Sequence, residues 1–122
     1  MNRVLDANAI LRYLLNDIPA QADVVAGTIE VGASTIPEVM AEVVYVLSGV
    51  YKIDRLSIAS TLKDFLEEIS IQDKPVIKSA LDLYARRKLD YVDCILIARA
   101  KLFGEDVLSF DKKLNSALKR EG

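Results

Sequence analysis

Carboxylates are the side chains in this sequence that could carry chemistry. The chain of 122 residues contains 18 Asp and Glu residues, one cysteine (Cys94) and no histidine. The absence of histidine excludes Ser-His-Asp and Cys-His catalytic sites and histidine-bound zinc. A lone cysteine cannot form an internal disulfide, so a reducing cytoplasm is the expected compartment. The chemistry to expect is therefore acid–base catalysis by carboxylates or the binding of a hard metal ion.

Asp6 and Asp111 each follow a short apolar run and precede a helical pattern. Val4-Leu5 leads into Asp6, and Val107-Leu108-Ser109-Phe110 leads into Asp111. Each carboxylate could simply cap its helix, which is worth about 1 kcal/mol and requires no further role. Both runs are also expected to be strands of one parallel sheet, whose carboxyl ends meet at the edge where ligands bind. The two acids are therefore expected to lie at the same edge.

Glu42 is surrounded by apolar residues in the run Val39-Met40-Ala41-Glu42-Val43-Val44. A charge in a nearly all-apolar helix has to be paired, neutral or bound to a cation. We therefore expect an apolar setting that raises the pKa of Glu42. A structural salt bridge to a distant Lys or Arg is the alternative.

Asp90 and Asp93 stand three residues apart at the start of a predicted helix, so their side chains face the same way. Asp90 suits the N-cap, and Asp93 suits the first turn, where the helix dipole favours an acid. Two like charges at this spacing repel slightly, which weakens a purely structural explanation for the pair.

Alternating helices and strands with short connections position these acids. The hydrophobic pattern predicts a tight passage through Asn8 into a first helix, and later helices over 20–30, 36–51, 55–69, 74–88, 92–103 and 111–119. Strands are predicted before Asp6 and over 31–35, 70–72 and 106–110. This alternation indicates one α/β domain over residues 1–122 with a short, mainly parallel sheet.

The composition restricts the partners that the chain can have. The net charge is −2, so attraction of a nucleic acid has to be local or metal-mediated. The basic runs Arg86-Arg87-Lys88, Lys112-Lys113 and Lys119-Arg120 are the local candidates. No apolar run reaches the eighteen residues of a membrane span. A mean hydropathy of +0.22 indicates more apolar surface than one small core can hold, so a homodimer is expected.

Four stretches together resemble the PIN-domain ribonucleases, with the closest likeness to the VapC toxins of bacterial and archaeal toxin–antitoxin pairs. They are Leu5-Asp6-Ala7-Asn8-Ala9-Ile10-Leu11-Arg12-Tyr13-Leu14, Glu42-Val43-Val44-Tyr45-Val46-Leu47, Asp90-Tyr91-Val92-Asp93-Cys94-Ile95-Leu96-Ile97-Ala98 and Ser109-Phe110-Asp111-Lys112-Lys113-Leu114. Each stretch alone is a weak signal, but the four occur in order across essentially the whole chain.

The resemblance implies a three-layer α/β/α fold and a metal-dependent endoribonuclease, a hydrolase that acts on structured RNA such as tRNA, or on mRNA. It also implies Mg²⁺ or Mn²⁺ as cofactor and a small antitoxin protein as partner. The implied site residues are the four metal-site acids Asp6, Glu42, Asp93 and Asp111, the polar supports Asn8 and Ser109, and the extra acid Asp90. Ala7 departs from the family pattern, because many members have a hydroxyl residue there.

Two questions stay open at this point. Glu42 could bind a metal through water or act as the general base. The chain could also be a non-catalytic PIN-like module that binds protein or RNA, which the presence of all four acids argues against. Metal binding near Asp6 would discriminate between the enzyme and this module.

Overall fold

A short parallel sheet flanked by helices forms the frame of the molecule. The computed structural model describes residues 2–121. The strands are β1 Arg3–Val4, β2 Ala33–Thr35 and β3 Ser70–Ile71. The helices are α1 Ala7–Leu15, α2 Pro19–Val31, α3 Pro37–Gly49, α4 Arg55–Leu66, α5 Lys74–Arg86, α6 Tyr91–Phe103 and α7 Lys112–Glu121. None of these helices combines the length and apolar composition that crossing a membrane requires.

The sheet has the order β1-β2-β3, and both strand pairs are parallel. Parallel neighbours need a crossover connection. Helices α1 and α2 connect β1 to β2, and helices α3 and α4 connect β2 to β3. The strands therefore end at one common edge, and Asp6 follows β1 at this edge. The predicted α/β fold with a short parallel sheet is confirmed.

The apolar stripes of the helices form the core. Phe65 and Leu62 on α4, Ile77 and Leu81 on α5, and Ile97 on α6 are all almost completely buried. Burial of each such side chain stabilises the fold by about 1.5–3 kcal/mol. Helix α5 packs against both α4 and α6, so the start of α6, where Asp90 and Asp93 lie, is attached to the best-packed part of the molecule.

The predicted strand over 106–110 is wrong. Within residues 2–121 this segment pairs with no strand, and Leu108 and Phe110 are 87% and 93% exposed. A strand forms only where its backbone groups pair with those of another strand. The 106–110 segment pairs with neither outer strand of the described sheet, which are β1 and β3. The segment instead connects Gly104, which ends α6 in the left-handed conformation, to the first turn of α7.

The predicted passage through Asn8 is also wrong, because α1 already begins at Ala7 and includes Asn8 in its first turn. Asp6 is extended, with φ −87° and ψ 176°, and its carboxylate accepts a hydrogen bond from the Ala9 N–H. This cap allows the helix to begin directly after the strand, so no intervening turn is needed.

Candidate active site

Asp6 is held firmly at the end of β1. Its Oδ1 accepts a hydrogen bond from the Ala9 N–H at 2.8 Å. The preceding Leu5 is tied to β2 on both sides of its backbone: its N–H donates to Ser34 O at 2.8 Å, and its carbonyl accepts from Thr35 Oγ1 at 2.8 Å. Thr35 is buried and positions Asp6 indirectly, a role that the sequence analysis missed and that no local pattern signals.

Asp90, Asp93 and Asp111 form an electrostatically coupled group at the starts of α6 and α7. Asp93 is half-buried, and its pKa is raised first by burial and then by the charges of Asp90 and Asp111. Asp90 occupies the N-cap position of α6, but its carboxylate makes no capping hydrogen bond. The local explanation for Asp90 is thus weaker than the sequence suggested.

Asp111 is oriented by a small hydrogen-bonded unit at the start of α7. Its Oδ1 accepts from the Leu114 N–H at 2.9 Å, and its own N–H donates to Ser109 Oγ at 3.0 Å. The Ser109 carbonyl accepts from Asn115 Nδ2 at 2.8 Å. Ser109 therefore supports Asp111 through its hydroxyl, although the segment between them is not a strand.

The apolar setting expected for Glu42 is wrong. Glu42 is exposed on α3, on the same outer side as Tyr45, whereas Met40, Val43 and Val44 are buried. Residues that adjoin in sequence point in different directions on a helix, so apolar neighbours at i±1 do not surround a side chain. The exposed carboxylate is hydrated and does not need a structural partner. Asn8 is likewise exposed, in the first turn of α1.

The five candidate acids differ from many other acids of this chain in having no basic partner. Asp17, Glu67, Asp73, Asp82, Glu105 and Glu121 all form ion pairs. Within residues 2–121 no ion pair involves any of the candidates, which are Asp6, Glu42, Asp90, Asp93 and Asp111. Their oxygens suit a hard divalent cation such as Mg²⁺ or Mn²⁺.

These acids do not converge on one point in the part of the chain that the structure describes, where no three acids are close enough to hold one ion. Asp6 lines a cavity of about 260 Å³ between β1 and α2. Asp90 lines a different cavity of about 250 Å³, beside Tyr45 and Arg55. The donor chemistry thus fits a metal ion, but the side chains have to approach one another to bind it.

Arg55 is a second residue that the sequence analysis missed. Its Nη1 donates to the carbonyls of Tyr84, Arg87 and Leu89 at 3.1, 2.8 and 2.7 Å, and its guanidinium lies 4.1 Å from the centre of the Tyr84 ring. These bonds fix the connection between α5 and α6, which delivers Asp90 to the start of α6. Nothing in the sequence around Arg55 signals this role.

The same connection and helix α7 line a basic cavity. Its volume is about 410 Å³, and its basic lining residues are Arg86, Arg87, Lys88, Lys113 and Arg120. Members of all three basic runs in the sequence therefore meet at one place, between the end of α5 and α7. Asp90 follows Lys88 by two residues, and Asp111 precedes Lys113 by two residues, so the backbone of both acids lies near the cavity, although neither residue lines it.

Comparisons with known proteins bear on the family of the chain. The family model described as the PIN domain matches residues 3–118. A VapC ribonuclease of Aquifex aeolicus (strain VF5) is 33% identical to this chain over 79 residues, a match that covers 62% of this chain and 58% of that protein. The chain thus spans less than two thirds of that curated relative. No solved structure matches the chain significantly.

Proposed function

The chain belongs to the PIN-domain family, and from this premise we propose that it is a metal-dependent endoribonuclease that hydrolyses RNA phosphodiester bonds as the toxin of a toxin–antitoxin pair. The observation that carries the proposal is the group Asp90, Asp93 and Asp111, in which burial and mutual repulsion raise the pKa of Asp93. No basic side chain in residues 2–121 forms an ion pair with this group. The likeness to a protein named as a VapC ribonuclease supports RNA as the substrate.

Asp6, Asp93 and Asp111 would hold the metal, with Mg²⁺ or Mn²⁺ as the cofactor that carboxylate ligands favour. When bound, the ion polarises the phosphate and lowers the pKa of an attacking water. The carboxylates that the chain contributes lie at or near the starts of helices. Two of them, those of Asp6 and Asp111, are already oriented because each accepts a hydrogen bond from a backbone N–H. Metal binding would draw the acids together against their mutual repulsion.

Two roles are proposed for Glu42, that of a metal ligand through water and that of the general base. Glu42 lies in the second turn of α3, which begins just after β2 at the strand edge that Asp6 occupies. Because its side chain is exposed, its carboxylate is accessible to bind the ion through a water molecule or to accept a proton from water. Asp90 and Ser109 would support the site, Asp90 as an additional negative charge and Ser109 by orienting Asp111. Asn8, exposed in the first turn of α1, is the remaining proposed support.

The test is RNA cleavage by the purified chain with Mg²⁺, Mn²⁺ and a chelator in parallel, on tRNA and on unstructured RNA. We expect cleavage with either ion, loss of cleavage in chelator and recovery on adding excess Mg²⁺. Undiminished cleavage in chelator would contradict the metal dependence. RNA binding without cleavage under every condition would instead favour a non-catalytic module.

An antitoxin is the protein partner that this function requires, since an uncontrolled ribonuclease would damage the cell that produces it. We propose a small protein that covers the acidic group and places a basic side chain there, because those carboxylates form no ion pair in the part of the chain that the structure describes. Co-expression with the product of the adjacent gene would test this. A product that neither binds the chain nor inhibits RNA cleavage would not be its antitoxin.

A homodimer is the proposed state of the chain. Large apolar side chains are exposed beside one another on β1 and α2, where Val4, Val24 and Val31 are each about two-thirds exposed or more. Arg3, Val24 and Val31 also line a shallow cavity of about 350 Å³. An apolar surface of this kind is typical of an interaction site. Sedimentation at micromolar concentration should give twice the monomer mass, and the monomer mass would contradict the proposal.

A further inference from the structure

Two of the arginines that line the basic cavity between α5 and α7 are bound to a carboxylate of the protein itself. Arg86 donates to both carboxylate oxygens of Glu121, from Nη1 at 2.9 Å and from Nη2 at 3.1 Å. Arg87 donates to Glu121 Oε2, from Nε at 2.8 Å and from Nη2 at 2.7 Å. The Glu121 side chain is only 9% exposed. One carboxylate thus uses the donors of two guanidinium groups.

This geometry matches the way in which arginine binds phosphate. A guanidinium presents its N–H groups as a planar fork that fits two oxygens of a carboxylate or of a phosphate equally well. The two arginines lower the pKa of Glu121 to about 2, so the carboxylate stays ionised at any pH where RNA binding would be measured. Glu121 therefore presents to Arg86 and Arg87 the charge and the oxygen spacing of an RNA phosphate.

The cavity holds more positive charge than this one carboxylate neutralises. Lys88, Lys113 and Arg120 line the same cavity, and none of them makes an ion pair within residues 2–121. A contact that only fastened α7 to α5 would not need these three additional cations. Binding of a polyanion such as RNA would use them, because several phosphates of the RNA have to be neutralised by basic side chains. The protein as a whole has a net charge of −2, so this attraction has to be local.

We propose that this cavity is a subsite for the RNA backbone next to the cleaved bond, and that Glu121 occupies its arginine pair until an RNA phosphate displaces it. The inference rests on the proposed ribonuclease function. It adds that Glu121 competes with the RNA phosphate for Arg86 and Arg87. RNA that displaces Glu121 gains the two guanidinium groups of Arg86 and Arg87, in addition to its attraction to a metal ion at the acids.

The test is the affinity of a labelled single-stranded RNA oligonucleotide, measured by fluorescence anisotropy in chelator so that no cleavage occurs. Glu121→Gln keeps the size of the side chain and removes its charge, and we expect about tenfold tighter binding at low salt. The matched control is Glu105→Gln. Glu105 accepts from Arg99 Nε at 2.7 Å and from Arg99 Nη2 at 2.9 Å, at the far end of α6, and its removal should leave the affinity unchanged.

A second pair of variants keeps the proposal testable even if loss of Glu121 loosens α7. Lys113→Gln should weaken RNA binding about tenfold, whereas Lys101→Gln, an exposed lysine elsewhere on α6, should not. Unchanged affinity in a folded Glu121→Gln variant would overturn the competitor role. Unchanged affinity in Lys113→Gln would overturn the subsite. Because binding is measured without metal, these results are independent of whether the wild type cleaves RNA.

Discussion

Asp6→Asn is expected to lower RNA cleavage by about 10³-fold while leaving the fold intact. Loss of a carboxylate ligand removes several kcal/mol of transition-state stabilisation by the metal, and each 1.36 kcal/mol corresponds to a factor of ten in rate. The fold is retained because the Asn oxygen can still accept the hydrogen bond that the Ala9 N–H now donates to Asp6 Oδ1. Cleavage kinetics with Mg²⁺ and unfolding in chelator, both compared with the wild type, measure the two effects separately.

Asp54→Asn is the matched control for this substitution. Asp54 also caps a helix, since its carboxylate accepts from the Ser57 N–H at 3.1 Å, but it lies at the start of α4 and belongs to no candidate site. The control should keep wild-type activity, with a change in the free energy of unfolding below about 1 kcal/mol. Wild-type activity in Asp6→Asn would refute the role of Asp6. A large activity loss in both variants would attribute the effect to helix capping instead.

Arg55→Met is expected to lower the free energy of unfolding by about 2–4 kcal/mol. The substitution keeps an apolar stem but removes the donor from the carbonyls of Tyr84, Arg87 and Leu89. An unsatisfied buried acceptor costs about 1–3 kcal/mol, and water can reach some of these three because the site is only partly buried. The contact with the Tyr84 ring adds about 1 kcal/mol to the loss. Urea unfolding followed by circular dichroism measures the change.

Arg99→Met provides the comparison for Arg55. Arg99 also lies over an aromatic ring, 5.1 Å from the centre of Phe103, and it also makes several hydrogen bonds. Its partners Glu105 and Asp73 are partly exposed side chains rather than backbone carbonyls, so its loss should cost below about 1 kcal/mol. Equal losses of the free energy of unfolding in the two variants would mean that water hydrates the three carbonyls when Arg55 is absent. The connection before Asp90 would then not depend on Arg55.

The amino-acid sequence by itself determined the local features of this protein. A helix start or end depends on residues within one turn, as the proline at the start of α2, the Asp54 cap of α4 and the glycine that ends α6 illustrate. Regular alternation of these helices with short apolar runs also predicted the parallel sheet. The order of the acid-containing motifs was sufficient to indicate the PIN-domain family, because this order can be read from the sequence without knowing which residues are in contact.

Only the tertiary structure decided which of these side chains are buried, paired or adjacent. Glu42 is exposed because it lies on the outer side of α3, and the residues over 106–110 form no strand because they pair with neither outer strand of the described sheet. Thr35 and Arg55 act across 30 and up to 34 residues of sequence, so no local pattern could reveal them.

The acids and the basic runs illustrate the same distinction. Asp6 was recognisable as a carboxylate at a strand end, and its cap bond to Ala9 is local. Two other features depend on how α5, α6 and α7 pack together. The charge of Asp111 raises the pKa of Asp93, and Arg87 and Arg120 line the same cavity. The apolar faces of the helices determine this packing. The positions of the charged residues are a consequence of it.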